Sequence, residues 1–124
     1  MPPSTATIFI VDDDASFLRA VARLLRGSGF VVKNFTSAAE FLAWPELDVP
    51  GCVLVDLQMP GMNGIELYDR LHVNHELAPI PVVLITANRN IPQEELRQRQ
   101  LITFMKPLEL NAFLATIETL ITSS

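Results

Sequence analysis

An unbroken apolar run, Cys52 to Val55, ends at one carboxylate, Asp56, and is followed by the Pro- and Gly-rich loop QMPGMNG. An apolar run without polar alternation is typical of a strand buried on both faces, as in parallel sheets covered by helices. The middle of such a strand cannot accommodate an ionised Asp, but its carboxyl end opens into the crevice where α/β sheets bind ligands. We therefore expect Asp56 to lie at a ligand-binding edge of the sheet.

The rest of the chain repeats the order strand, then helix. Four further apolar segments are predicted to be strands: Thr7 to Val11, Phe30 to Phe35, Ile80 to Ile85 and Leu101 to Met105. The segments between them have the one-sided apolar spacing of amphipathic helices. Five strands alternating with five helices predict an α/β fold with a parallel sheet, right-handed crossovers and helices on both faces.

The helices are predicted from apolar stripes and capping residues. Stripes are expected on the first helix at Phe17, Val21, Leu24 and Leu25, and on the last at Leu110, Phe113, Leu114, Ile117, Leu120 and Ile121. Ser37 and Asn63 are predicted N-caps, and Pro45 is predicted to end the second helix. The segment Ile91 to Gln100 has few candidate core residues, so we expect a short helix there.

Composition limits the class of protein. The chain has 124 residues, enough for one domain, with residues 1–6 expected to be a polar leader and no output domain expected. A net charge of -5 repels phosphate backbones, which argues against direct nucleic acid binding. The lone Cys52 is expected to be a buried apolar residue. Without a candidate membrane span or signal peptide, we expect a cytoplasmic protein.

Polar side chains end four of the predicted strands. Asp12 and Asp13 follow the first, Asp56 the third, Thr86 the fourth and Lys106 the fifth. Each one alone is explained by helix capping or by an exposed surface charge. Together, at the same edge of a parallel sheet, they predict a site.

The charges of this set indicate its chemistry. Two carboxylates at about 4 Å repel by about 4 kcal/mol at an effective dielectric constant of about 20, and a divalent cation removes that cost. Ligands that are all oxygen favour a hard ion such as Mg²⁺, or Mn²⁺ in its place. With Lys106 as a mobile charge and Thr86 as a neutral donor, the set suits a phosphoryl group transferred in line to Asp56. No Gly-rich nucleotide loop is present.

A resemblance to a known family rests on four segments of the chain. IFIVDDD, VLVDLQMPGMNG, VVLITA and FMKP, in this order and spacing, resemble the receiver domain of two-component response regulators, the CheY-like family. The resemblance runs from the first strand to the last helix. It implies a flavodoxin-like, doubly wound sheet with the strand order 2-1-3-4-5. It also implies a signalling phosphoacceptor that catalyses its own phosphorylation and dephosphorylation, and not a conventional enzyme.

The resemblance further assigns roles to the site residues. Asp56 would take a phosphoryl group from a sensor histidine kinase or a phosphotransfer protein, and the signal would pass to a downstream effector or output domain. Asp13, Asp56 and the backbone carbonyl of Gln58 would bind Mg²⁺ directly, and Asp12 would act through water. Lys106 would contact the phosphoryl oxygens.

Two further roles follow from the resemblance. Thr86 would move onto the phosphoryl group as the switch hydroxyl. The peptide bond between Lys106 and Pro107 is expected to be cis, a geometry that is rare outside X-Pro bonds.

Some positions depart from the family pattern. The switch aromatic usual three residues before the Lys is Thr103 here, and Phe104 is one place off. Because side chains alternate along a strand, Phe104 is expected on the opposite face of the sheet from the usual ring. The segment RQRQ, residues 97–100, replaces a small pair before the last strand, so we expect at most a weak homodimer through this region. Gln58 and Asn88 correspond to positions that tune dephosphorylation in this family, which the resemblance implies for them here, and the alternative is that both are solvated loop residues.

Two rival functions remain open from the sequence. A haloacid-dehalogenase-like phosphatase also begins with a strand-end Asp-x-Asp, matched by Asp12 and Asp14, and would use Asp12 as its nucleophile. That reading leaves Asp56 unexplained. The other rival is a phosphorylation-independent interaction module with the same fold, which the altered fourth helix favours and the complete acidic set disfavours.

Overall fold

A computed structural model describes residues 6–44, 51–73 and 80–122. Strands and helices alternate along the chain: β1 Thr7–Val11, α1 Ala15–Gly27, β2 Val31–Phe35, α2 Ala38–Leu42, β3 Gly51–Asp56, α3 Gly64–Val73, β4 Val82–Thr86, α4 Gln93–Gln98, β5 Ile102–Met105 and α5 Leu110–Thr122. The predicted order of elements is confirmed. The strands β2, β4 and β5 begin one or two residues later than predicted, and α4 is shorter than the segment Ile91 to Gln100.

The strands form one parallel sheet in the order β2-β1-β3-β4-β5, as expected. In this register Val11 lies beside Phe35 on one side and Val55 on the other, and Asp56 lies beside Ile85. The carboxyl ends of all the strands therefore meet along one edge. Gly51, at the start of β3, lies so close to β1 that a Cβ would be 2.0 Å from the Thr7 carbonyl oxygen, which only glycine permits.

Each face of the sheet has its own apolar core. Alternate strand residues such as Ile8 and Ile10 pack with α1 and α5, and their neighbours Phe9 and Val11 pack with α2 and α3. Strands covered on both sides in this way are apolar throughout, because neither face meets water. This packing explains the unbroken apolar run before Asp56.

Two predicted helix faces need correction. The fully buried residues of α1 are Leu18, Val21, Ala22 and Leu25, whereas Phe17 and Leu24 are only half-buried. In α5, Phe113, Ile117 and Ile121 are buried as predicted, but Leu110 is 49% exposed. Ala6, assigned to the polar leader, is buried in the α1 side of the core, and residues 1–5 lie outside the described residues.

Side-chain caps begin α2 and α3 at the predicted positions. The Ser37 hydroxyl accepts from the Glu40 N–H at 3.1 Å, and Asn63 and Glu66 bind each other's backbone N–H at 2.9 Å. The first helix is capped by Asp14. Pro45, the predicted end of α2, lies outside the described residues.

The segment 97–100 forms a compact connection between α4 and β5. Arg99 binds both carboxylate oxygens of Asp69 on α3, at 2.8 and 2.9 Å, and this hydrogen-bonded pair lowers the pKa of Asp69. Gln100 has a φ of 55°, a left-handed conformation that favours glycine. The residues that replace the usual small pair therefore still make a left-handed helix end, and Arg99 attaches it to α3.

Cys52 is fully buried, and burial raises the pKa of its thiol to about 12, so it behaves as an apolar core residue. Over residues 6–44, 51–73 and 80–122, none of the helices has both the length and the apolar character to cross a membrane.

Candidate functional site

The strand order brings four of the predicted polar residues to the same edge of the sheet. Asp12 follows β1, Asp56 is the last residue of β3, Thr86 is the last residue of β4, and Lys106 follows β5. The Lys106 N–H donates to the Thr86 carbonyl at 2.8 Å, which joins the last two of these strand ends. The peptide bond from Lys106 to Pro107 is cis, as expected.

Three carboxylates form the acidic part of this edge. One oxygen from each of Asp12, Asp13 and Asp56 can be chosen so that all three lie within 4.8 Å of one another. Asp12 is 1% exposed and Asp56 8% exposed, whereas Asp13 is open to solvent. Carboxylates this close and this buried repel each other strongly unless a cation lies between them.

Backbone groups orient the two buried carboxylates in the same manner. The Asp14 N–H donates to Asp12 Oδ1 at 2.9 Å, and the Gln58 N–H donates to Asp56 Oδ1 at 3.1 Å. Each Asp therefore uses one oxygen to fix the turn that follows its strand. The other oxygen of each, Oδ2, faces Lys106.

Lys106 supplies the positive charge of the site. Its Nζ lies 2.8 Å from Asp12 Oδ2 and 3.7 Å from Asp56 Oδ2. Burial opposes the charge of Lys106, but the contact with Asp12 and the charge of Asp56 outweigh burial and raise the pKa of the ammonium. The buried Asp12 Oδ2 therefore has the Lys106 ammonium as its charge partner.

The environment of Asp56 strongly perturbs the pKa of its carboxyl group. Burial raises its pKa to about 6; the Gln58 N–H acts against burial, the charge of Asp12 adds to it, and Lys106 offsets part of the effect. The group is therefore mostly ionised at neutral pH, which is the form needed for a nucleophile or metal ligand.

The raised pKa predicts a pH-dependent stability. Because folded Asp56 binds its proton more tightly than the unfolded chain does, its contribution to stability is complete below about pH 4 and is lost as the pH rises through about 6. In metal-free buffer, we expect the free energy of unfolding of Asp56→Asn to exceed that of wild type by an amount that grows by about 1–2 kcal/mol from about pH 4 to about pH 7. Denaturant titrations across this range measure the difference, and parallel curves would contradict the assignment.

Thr86 is fully buried and held by the following turn. Its hydroxyl accepts from the Asn88 N–H at 3.0 Å and lies 3.4 Å from the Asn88 carbonyl oxygen, to which it donates. The Asn88 side-chain oxygen accepts from the Asn90 N–H at 2.8 Å. The Thr86 hydroxyl and the Asn88 side chain are therefore both hydrogen-bonded within the β4–α4 turn. Gln58, two residues after Asp56, is exposed.

Thr103 and Phe104 lie on opposite faces of the sheet, as the alternation predicts. Phe104 packs with the α1 and α5 core, its ring edge-on to Phe113 with centroids 5.5 Å apart. Thr103 is paired with Leu84 and points to the other face. Its hydroxyl oxygen is buried and has no hydrogen-bond partner among the described residues.

Two residues at the start of α1 complete the surroundings of Lys106, and the sequence did not assign them to the site. Asp14 accepts from the N–H groups of Ser16 and Phe17, so its carboxylate serves as the helix cap. The Phe17 ring lies against Lys106, with Nζ 4.2 Å from the ring centroid. The sequence signal that could have indicated this contact is an aromatic residue about one turn after the strand-end acids.

The family model described as the response regulator receiver domain matches residues 8–118. The C4-dicarboxylate transport transcriptional regulatory protein DctD of Rhizobium meliloti is 37% identical over 87 residues, 69% of this chain and 18% of that protein. The transcriptional regulatory protein FixJ of Bradyrhizobium diazoefficiens is 36% identical over 117 residues, 92% of this chain and 56% of that protein.

A solved structure is similar to this chain in both fold and sequence. The response regulator StyR superposes with a TM-score of 0.86 at 36% identity, over 96% of this chain and 60% of that chain. The chain spans between about a fifth and about three fifths of the length of these three proteins.

Proposed function

Because the chain belongs to the family of response regulator receiver domains, we propose that Asp56 accepts a phosphoryl group from a phosphohistidine on a sensor histidine kinase or phosphotransfer protein. A receiver domain is a signalling domain, so the product is the modified protein itself. One observation carries the proposal: a buried, ionised carboxylate at a strand end, with a backbone N–H on one oxygen and a lysine facing the other.

The proposed reaction is an in-line displacement at phosphorus. An Asp56 carboxylate oxygen forms the new P–O bond while the P–N bond to the donor imidazole breaks, and the imidazole leaves with the bonding pair. The Gln58 N–H holds Oδ1, so Oδ2, which faces Lys106, is the oxygen presented for attack. Lys106 Nζ is close enough to neutralise a phosphoryl oxygen as the bond forms.

The donor set of the site suits Mg²⁺. Its ligands are all oxygen, and one oxygen from each of three carboxylates lies within 4.8 Å of the other two. Asp13, Asp56 and the Gln58 carbonyl would hold the ion directly, with Asp12 acting through water. When bound, Mg²⁺ or Mn²⁺ would neutralise charge on the carboxylates and the phosphoryl oxygens.

Labelling with a small-molecule phosphodonor tests the proposal. We expect the intact protein to gain the mass of one phosphoryl group in the presence of Mg²⁺, and to gain none when EDTA is in excess. The label should be released by hydroxylamine, as an acyl phosphate is. If the protein takes no label even in the presence of Mg²⁺, the result would favour a phosphorylation-independent interaction module.

The proposed switch passes from the site to the face that carries α4 and β5. Thr86 would exchange its contacts with Asn88 for a phosphoryl oxygen. On the side of the sheet that Thr86 shares with Thr103, no aromatic ring lies at position 103, and Phe104 is packed on the other side. We therefore propose that Thr86 and Thr103, and not the ring of Phe104, couple phosphorylation of Asp56 to this face.

The relatives give the proposal its cellular setting. DctD and FixJ are named transcriptional regulatory proteins, and this chain matches only part of each. The proposed downstream partner is an effector or output domain that reads the altered face, with any weak homodimer through the same region. The acidic chain itself would not contact nucleic acid. A cytoplasmic location follows from a kinase partner of this kind.

The Gln58 side chain is expected to set the lifetime of the phosphoryl group. It is exposed beside Asp56, where an amide can orient the water that attacks the phosphoaspartate. Gln58→Ala keeps the backbone N–H, so we expect the phosphorylated protein to decay about threefold more slowly. Decay followed by intact mass measures this lifetime, with Asn111→Ala, an exposed amide on α5, as the control. An unchanged lifetime in Gln58→Ala would remove this role.

A further inference from the structure

The Lys106 ammonium packs against the face of the Phe17 ring. Nζ lies 4.2 Å from the ring centroid, and the lysine side chain is only 16% exposed. An ammonium above an aromatic face is attracted by the ring quadrupole, more strongly where water is excluded. We propose that Phe17 is a positioning residue that holds Lys106 over Asp12 and Asp56, an inference that rests on the proposed phosphoryl transfer to Asp56.

The position of Phe17 is fixed by the acidic strand end itself. The Asp14 carboxylate accepts from the Phe17 N–H at 3.2 Å, and the Asp14 N–H is bound by Asp12 Oδ1 at 2.9 Å. Lys106 then contacts both the Phe17 ring and Asp12 Oδ2. These contacts form a closed circuit, from Asp12 through Asp14 and Phe17 to Lys106 and back to Asp12. The start of α1 and the catalytic lysine are therefore aligned by one set of interactions.

The ring also suits the movement that Lys106 must make. A hydrogen-bond acceptor would hold the ammonium at one point, whereas the attraction of a ring face is broad and only weakly directional. Nζ can therefore shift from Asp12 Oδ2 toward an incoming phosphoryl oxygen without losing its contact with Phe17. The ring covers the ammonium on its α1 side, which limits hydration that would weaken its charge.

A purely structural role for Phe17 makes a different prediction. The residue is half-buried and packs against the α1 and α5 core together with Phe104 and Leu108. If packing were its only function, any apolar side chain of similar size would serve. If the ring face is needed, Tyr and Trp will serve and Leu will not.

Rates of labelling by a small-molecule phosphodonor with Mg²⁺ distinguish these roles. We expect Phe17→Leu to be phosphorylated about three- to tenfold more slowly than wild type, and Phe17→Tyr and Phe17→Trp to stay within about twofold of it. Leu24→Ala, at a half-buried α1 residue two helical turns after Phe17, is the matched control and should react at the wild-type rate. Denaturant midpoints show that each variant is folded under the assay conditions.

A double-mutant cycle provides the decisive comparison. Because Phe17 acts through the ammonium, Phe17→Leu should cause less than about a twofold change when Lys106 is already replaced by Met. Equal slowing in both backgrounds, or a Tyr variant as slow as the Leu variant, would overturn the positioning role. A wild-type protein that takes no label would overturn the proposed function together with this inference. Normal labelling of both wild type and Phe17→Leu would overturn this inference alone.

Discussion

Replacing Asp56 with Asn is expected to abolish phosphoryl uptake, with a fall in the labelling rate of at least about 10³-fold. The amide fits the same space and still accepts the hydrogen bond from the Gln58 N–H, but it has no anionic oxygen to attack phosphorus. The substitution also removes like-charge repulsion from a buried site. We therefore expect a folded protein that is more stable than wild type at neutral pH and cannot be labelled.

Asp69→Asn is the matched control for this variant. It removes a carboxylate on α3 that binds Arg99 and is not one of the strand-end acids, so labelling should continue. Both variants are measured by phosphoryl incorporation per chain. Persistent labelling of Asp56→Asn at the wild-type rate would show that another residue is the nucleophile.

Replacing Lys106 with Met is expected to have two opposite effects. Phosphoryl transfer should slow by about 10²-fold, because the group that neutralises a phosphoryl oxygen is lost. Binding of Mg²⁺ should tighten by about tenfold, because the ammonium that lies 2.8 Å from Asp12 and 3.7 Å from Asp56 no longer competes with the ion. A lysine that only stabilised the fold would not give this combination.

Titration calorimetry with Mg²⁺ and the labelling rate measure the two effects on the same protein. Lys33→Met is the control, since Lys33 is the only other lysine in the sequence. Lys33 lies on β2, away from the site, and its Nζ is 5.6 Å from the centroid of the Trp44 ring. The Lys33→Met substitution should change neither quantity. Weaker Mg²⁺ binding in Lys106→Met would mean that the lysine supports the metal site and does not compete with it.

The sheet could be predicted because its sequence signals are local. A strand covered on both faces must be apolar throughout, and β1, β3 and β4 each contain such a run. The capping residues Ser37 and Asn63 act on the backbone within three residues, so their effect is also visible in the sequence. The starts of β2 and β5 were predicted one residue too early, because Phe30 and Leu101 are apolar residues that pack against the core from just outside the strands.

The helix faces were harder to predict because packing partners decide them. Phe17 and Leu24 match an apolar stripe on α1 as well as Leu18 and Ala22 do, and only the placement of α1 against the sheet and α5 selects the second pair. Ala22 contributes little to an apolar pattern, yet it is nearly fully buried because it lies on the face of α1 that packs into the core. Leu110 belongs to the apolar pattern of α5, but it is the first residue of the helix and is 49% exposed.

The charged residues of the site could be predicted from the sequence, but the residues that surround them could not. Asp12, Asp56 and Lys106 each follow an apolar strand, so the fold alone brings them to one edge. The contact between Phe17 and Lys106 joins residues far apart in sequence, and an aromatic residue near a helix start reads as part of the core. The alternation of β5 did predict the face of Phe104, since one residue of offset reverses the side of a strand.

Locating the phosphoryl group within the chain tests the proposed function most directly. The wild-type protein is labelled by a small-molecule phosphodonor with Mg²⁺, the acyl phosphate is reduced with borohydride, and the modified residue is identified by peptide mass spectrometry. We expect the modification at Asp56 alone. Modification at Asp12 would instead support a haloacid-dehalogenase-like nucleophile, and either that result or an unmodified chain would contradict the role proposed for Asp56.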